Sequence, residues 1–233
     1  MDGVREMSRA AAAELLHWWV EAGVDVAVAE QPRDWLRPAL PSAPMSPPSN
    51  VAELSHETLG QLRDWLASSA QLPLASSTAR RILPHGPEAA AVMLLSDAPA
   101  LEDFASGQPI GGDAWALAQK MLAAIGLGAD QAYSASLSCF HAPGARMSEA
   151  DRAACADIAR RHIALVKPKR LLLLGDGPCR ALLGQPLLAV RGHVHRIEGV
   201  RTVATFHPRW LLQRQADKAK AWADLLLLME EDS

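Results

Sequence analysis

Cysteine is scarce in this chain: only Cys139, Cys155 and Cys179 occur among 233 residues. Three thiols make no disulfide framework and suit a reducing cytoplasm. Long apolar runs are missing too, and none approaches the roughly 20 residues that a membrane span needs. The N-terminus lacks the basic-then-apolar order of a secretory signal, because Asp2, Glu6 and Glu14 interrupt it. A strong charge of one sign is also absent. The formal net charge of -3 excludes a molecule that holds nucleic acid by bulk positive charge, so any such contact must come from a local patch. Together these absences imply a cytoplasmic protein with no membrane partner. Nothing in the sequence argues for an oligomer, and a monomer is expected.

Hydrophobic residues make up 49% of the chain, enough to bury a full core. The length suits one α/β domain of ordinary size plus an appendage. Residues 5–22 repeat Ala11, Leu15, Trp18, Trp19 and Ala22 at helical spacing. Residues 31–50 hold Pro32, Pro38, Pro41, Pro44, Pro47 and Pro48, which make an extended linker. The expected organisation is therefore a helical extension (1–30), a Pro-rich linker (31–50) and an α/β domain (51–233).

Within that domain, 51–70 reads as a helix and Ala89–Leu95 as a short apolar strand. A helix from Ala114 to Ile125 closes at Gly126. Ala132–Ser138 is the next strand. Ser148-Glu149-Ala150-Asp151 opens a helix as a capping box and Lys167-Pro168-Lys169 ends it. Arg170–Leu174 is a buried-type strand stopped by Gly175. Val190–Ile197 and Val200–Ala204 complete the sheet, and Lys218–Glu230 reads as a final helix. Strands alternating with helices predict a three-layer α/β/α fold around a central, mostly parallel four-stranded sheet. Sites in such folds lie at the carboxyl ends of strands.

Two strand-end turns carry chemistry. In Phe206-His207-Pro208-Arg209-Trp210-Leu211-Leu212 the proline stops the strand and leaves an imidazole at its mouth. In Leu94-Leu95-Ser96-Asp97-Ala98-Pro99 a carboxylate takes the same position. A core histidine and a turn-capping aspartate are the plain alternatives.

The ordered series of fragments resembles the uracil-DNA glycosylase superfamily, closest to its family 4 type. It comprises Asp97-Ala98-Pro99, Gly107-Gln108-Pro109-Ile110-Gly111-Gly112, Ala142-Pro143-Gly144-Ala145-Arg146, His162-Ile163-Ala164-Leu165-Val166-Lys167-Pro168-Lys169, Arg191-Gly192 and Thr205-Phe206-His207-Pro208 with Leu211-Leu212. The resemblance covers about residues 51–231. It implies flipping of a deaminated base out of DNA and hydrolysis of its N-glycosidic bond. It implies His207 as the donor toward the leaving base and Asp97 as the group beside water and the sugar cation. Ala98, Pro99, Ile110, Ala135 and Ser136 fall at the base pocket. Arg146, Arg191, Pro208, Arg209, Leu211 and Arg214 fall where such enzymes meet DNA.

Several residues depart from the pattern. Asp97 is one methylene shorter than the usual Glu. The pyrimidine-reading Asn falls at Ala135, with Ser134 and Ser136 beside it. The stacking Phe falls at Ile110. A four-iron cluster needs four thiolates, and no cysteine precedes Cys139, so no iron–sulfur cluster and no other cofactor is expected. Arg80-Arg81 and Arg160-Arg161-His162 are either phosphate contacts or a solvated face. His193 and His195 alternate on a strand with no third metal ligand placed. The alternative to an enzyme is a catalytically degenerate module of the same fold that binds nucleic acid or a protein, the latter through Trp18 and Trp19.

Overall fold

The computed structural model describes residues 56–75, 79–141 and 147–230. The expected N-terminal helix, the Pro-rich linker and Arg146 lie outside the described residues. In chain order the elements are α1 (Leu59–Ser68), β1 (Val92–Ser96), α2 (Gly112–Ala124), β2 (Ala132–Ser136), α3 (Glu149–Val166), β3 (Arg170–Leu174), α4 (Asp176–Leu183), α5 (Leu187–Val190), β4 (Val194–Ile197), β5 (Val200–Thr205), α6 (Pro208–Gln213) and α7 (Lys218–Met229). Short 3-10 turns stand at Leu101–Ala105, Ala129–Gln131 and Gln215–Asp217.

One five-stranded sheet has the order β2-β1-β3-β5-β4. Four strands run parallel, and β4 pairs antiparallel with β5. The four-stranded expectation is thus one strand short. Edge strand β4 is joined to β5 by Glu198 and Gly199, both at positive φ (49° and 77°), as a two-residue hairpin with right-handed twist requires. It starts at Val194 rather than Val190, because Leu187–Val190 closes a helical turn in which Arg191 N–H donates to the Leu187 carbonyl at 2.9 Å.

Central strands β1 and β3 are buried along both faces, the mark of a parallel sheet covered on two sides. Val92, Leu94, Leu172 and Leu174 pack with Ala114 and Leu122 of α2 and with Leu225 and Leu228 of α7. Met93, Leu95, Leu171 and Leu173 pack on the other face with Ala159 and Ile163 of α3 and Leu182 of α4. Each fully buried leucine contributes about 1.5–3 kcal/mol relative to exposure. The three-layer expectation from strand–helix alternation holds.

Helix α1 begins at Leu59, not near Val51. Thr58 caps it: the Thr58 hydroxyl accepts from Gln61 N–H, and the Gln61 side chain accepts from Thr58 N–H at 3.2 Å. Its Leu62 and Leu66 join Leu72, Phe140 and Ile158 in a separate apolar cluster. At the start of α3, the Ser148 hydroxyl accepts from Asp151 N–H at 3.0 Å and donates to the Asp151 carboxylate at 2.6 Å. The Asp151 carboxylate grips the cap hydroxyl itself. No helix of the described residues is long and apolar enough to cross a membrane.

Candidate active site

Strand register brings the two chemical turns together. Leu95 pairs with Leu173, and Leu174 pairs with Thr205. Two residues past Leu95 is Asp97; one past Leu174 is Gly175; two past Thr205 is His207. All three leave the carboxyl ends of adjacent parallel strands. The chain turns to opposite sides at β1 and β3, the switch point where open α/β sheets leave a crevice. There a cleft of about 390 Å³ is lined by Asp97, Ala98, Leu174, Gly175, Asp176, Gly177, His207, Arg209, Trp210 and Gln213.

His207 is the N-cap of α6, with Pro208 at the first helical position. Its backbone carbonyl accepts from Trp210 N–H at 2.9 Å. Its ring Nδ1 accepts from Arg209 N–H at 3.1 Å. An Nδ1 that accepts a hydrogen bond carries no proton, so the neutral ring must carry it on Nε2. Burial, with the Arg209 cation second, pushes the imidazole down to about 4. At neutral pH the ring is therefore an uncharged Nε2–H donor. Nε2 makes no hydrogen bond among the described residues.

Asp97 stands at the cleft mouth with its carboxyl against α4. Desolvation pushes its pKa up, Arg152 pulls it down, and Asp176 pushes it up again. The residue is exposed, so solvent tempers that push. The site requires glycine at 177: a Cβ there would lie 2.2 Å from Asp97 Oδ1. Gly177→Ala should displace the carboxyl and cost about 1–3 kcal/mol as overpacking does. Urea unfolding measures this; an unchanged midpoint would show that Asp97 yields freely.

Of the expected pocket residues, Ala98 lines the cleft and Pro99 is buried behind it. The Pro99 carbonyl accepts from His141 Nδ1 at 2.8 Å. Ile110 and Ala135 are fully buried, in the two clusters on opposite faces of the sheet, and neither lines this cleft. Ser136 shares a hydrogen bond with Ser96 at 3.0 Å and borders a different, narrow cavity.

The expected DNA-facing residues are mostly committed inward. Arg209 Nη2 donates to both Asp103 oxygens at 3.0 Å, and its Nε donates to Glu102. Arg191 Nη2 donates to both Asp224 oxygens at 3.0 Å, and its guanidinium lies over Phe206. Pro208 and Leu211 are buried; Arg214 is exposed over the Trp210 ring. Likewise Arg81 donates to the carbonyls of Leu66 and Ser69, Arg161 to that of His56, and Arg160 to that of Leu182. His162 is buried against the Tyr133 hydroxyl at 2.8 Å.

Several residues of the cleft went unnoticed as site residues in the sequence, Trp210, Gln213 and Gly177 among them. Trp210 is 43% exposed, lies parallel to Phe206, and donates Nε1–H to Asp217 at 3.0 Å. Its signal was an aromatic set directly after His-Pro-Arg. Gln213 brings an amide to the cleft, and Gly177 admits the Asp97 carboxyl; neither has a signal at sequence level. A larger cleft of about 710 Å³ lies at the opposite rim, lined by cations including Lys167, Lys169, Arg170 and Arg201. Arg170 and Arg201 there donate to the Leu228 and Leu227 carbonyls at the end of α7, which is helix capping. It holds no imidazole.

Nor do the residues fit a four-iron cluster. Cys139 and Cys155 border a cavity of about 20 Å³ with Leu66, Leu72 and Pro73, room for about one water. Burial pushes their thiols up to about 11 and about 12, so both are protonated at neutral pH. Cys179 instead donates Sγ–H to the Gly175 carbonyl at 3.1 Å. Among the described residues no three His, Cys, Asp or Glu side chains converge on a metal position, and His195 Nε2 bonds the Val190 carbonyl.

The family model described as uracil DNA glycosylase superfamily matches residues 83–226, a span that contains all five strands and both chemical turns. The chain belongs to the uracil DNA glycosylase superfamily.

Proposed function

We propose that this protein hydrolyses the N-glycosidic bond of uracil, or a similarly deaminated base, flipped out of DNA. The observation that carries this reading is the His207 tautomer: a neutral Nε2–H at the edge of a cleft that also holds Asp97. In the reaction the C1′–N1 bond breaks and its electron pair leaves with the base. Nε2–H hydrogen-bonds to the base oxygen as negative charge gathers there, without the ring giving up its proton. Asp97, ionised above its raised pKa, faces the sugar cation and orients the water that adds to C1′. That water's surplus proton passes to solvent, and the departing base is protonated from solvent.

Base selection at Ala135 has no polar atom to use. The Gln213 amide offers one acceptor and one donor pair at the cleft wall, and takes that task in this reading. Trp210 and exposed Leu212 are the apolar groups available to the DNA, in place of buried Leu211. Arg214 beside Trp210 meets a phosphate.

The test is release of uracil from labelled single- and double-stranded oligonucleotides, read as alkali-labile abasic sites. Abasic product at low enzyme supports the reading. Salt-dependent DNA binding without product, at any protein concentration, would leave the binding module. The apolar residues at Ala135 and Ile110, where the family pattern has a base-reading Asn and a stacking Phe, are what favours that second reading.

A further inference from the structure

The acid at the back of the site is Asp103. It lies in the 3-10 turn Leu101–Ala105 and is fully buried. A lone carboxylate so placed must be satisfied or pay heavily in lost hydration. Its partners come from three separate segments. One oxygen accepts from Ala100 N–H at 2.6 Å; the other accepts from Gly111 N–H at 2.7 Å. Arg209 Nη2 reaches both at 3.0 Å. Gly111 is pressed so close that a Cβ there would lie 3.0 Å from Asp103 Cα and 3.2 Å from Oδ1.

Of these partners Arg209 lines the cleft, and the other two stand beside it in the chain or at a helix start. Ala100 ends the turn that starts at Asp97. Gly111 is the N-cap of α2. Arg209 is the second residue of α6, and its N–H is the donor to His207 Nδ1. The carboxylate therefore ties the segment bearing Asp97 to the helix start that orients His207. The two segments are distant in sequence, and this is a direct polar link between them.

We propose that Asp103 is a positioning residue: through Arg209 it holds the first turn of α6 so that His207 presents Nε2–H to the cleft at a fixed place relative to Asp97. Asp103 touches neither imidazole nor base. It acts by keeping Arg209 N–H aimed at Nδ1 and by keeping the turn after β1 against α6. The catalytic consequence rests on the proposed excision reaction, but the effect on the imidazole does not.

The experiment uses the full chain labelled with ¹⁵N-histidine. Long-range ¹⁵N–¹H spectra distinguish a protonated ring nitrogen from a bare one, and His207→Ala assigns the signal. The wild type should show His207 wholly as the Nε2–H form. Asp103→Asn should turn that single form into an average of two tautomers. Arg209→Ala serves as the second variant, since it leaves Asp103 its bonds to Ala100 and Gly111. It should produce the same averaging, at a lower melting temperature because the buried carboxylate loses its cation, and a thermal melt confirms that it is folded at the temperature of the spectra. If the wild type excises uracil, both variants should lose kcat by about 10²-fold at unchanged KM, as a misplacement of about 1 Å does. A wild type without excision activity would overturn the functional reading and leave the tautomer test standing. An imidazole that stays wholly Nε2–H in both folded variants would overturn the positioning role.

Discussion

His207→Ala should lower the proposed uracil release by about 10²–10³-fold, the loss expected when one preorganised donor to a developing anion is removed. In that reading the ring does two jobs, and the variant removes both. Nε2–H serves the leaving base, while Nδ1 caps α6 by accepting from Arg209 N–H. Loss of a cap costs about 1 kcal/mol, too little to unfold a domain with two large core clusters. His207→Asn separates the roles, because asparagine caps helices well but carries no donor at the distance of Nε2. His207→Asn should keep the parental melting temperature and share the catalytic defect of His207→Ala. The measurement is single-turnover release at saturating enzyme, which reads the chemical step apart from DNA binding. Release at the parental rate in either variant would take His207 out of the chemistry.

Acid should destabilise the fold well before the carboxylates are all protonated. His162 is buried among Tyr133 and the α3 core, and burial pushes its imidazole down to about 3 from an ordinary 6.5. His207 is held down to about 4. In the unfolded chain both rings take a proton near pH 6.5, and in the folded chain neither does until far lower. Stability is therefore full above the unfolded value and declines as pH falls toward the folded values. At about pH 4.5, His162 alone should cost about 3 kcal/mol, from two pH units at about 1.4 kcal/mol each. Asp97 and Asp224, whose pKa values are raised by desolvation, act the other way over the range between 3.8 and their raised values. They soften the decline. Urea unfolding at a series of pH values reads the slope. A free energy that stays level from about pH 6.5 to about pH 4.5 would mean that His162 is protonated inside the fold.

The chemical turns were legible because they end strands, and strand ends have punctuation. Pro208 after His207 and Pro99 after Asp97 stop the pairing, and an apolar run before each identifies the strand. Register then did what local sequence cannot: it set Asp97, Gly175 and His207 side by side. Helix α3 was legible at both ends, from Ser148 and from Lys167-Pro168-Lys169. Helix α1 was overextended because its apolar period runs on upstream of the Thr58–Gln61 cap. Strand β4 was read four residues too long because Val190, apolar like a strand residue, sits in a helical turn instead. Ile110 and Ala135 matched by order in the series, yet their side chains point into the core layers, a matter of which sheet face each position serves. Asp103 and Gly177 carried no signal, because what makes each matter is a contact with a residue far along the chain.

The packing of Leu66, Leu72 and Pro73 against Cys139, Phe140 and Cys155 has a consequence for the cell. A domain whose corner is filled by leucine and proline makes no demand on iron supply there. Its own thiols, buried and kept protonated far above neutrality, are slow to oxidise. What the corner contributes is shape, an apolar wedge that seats helix α1 against the loop after β2.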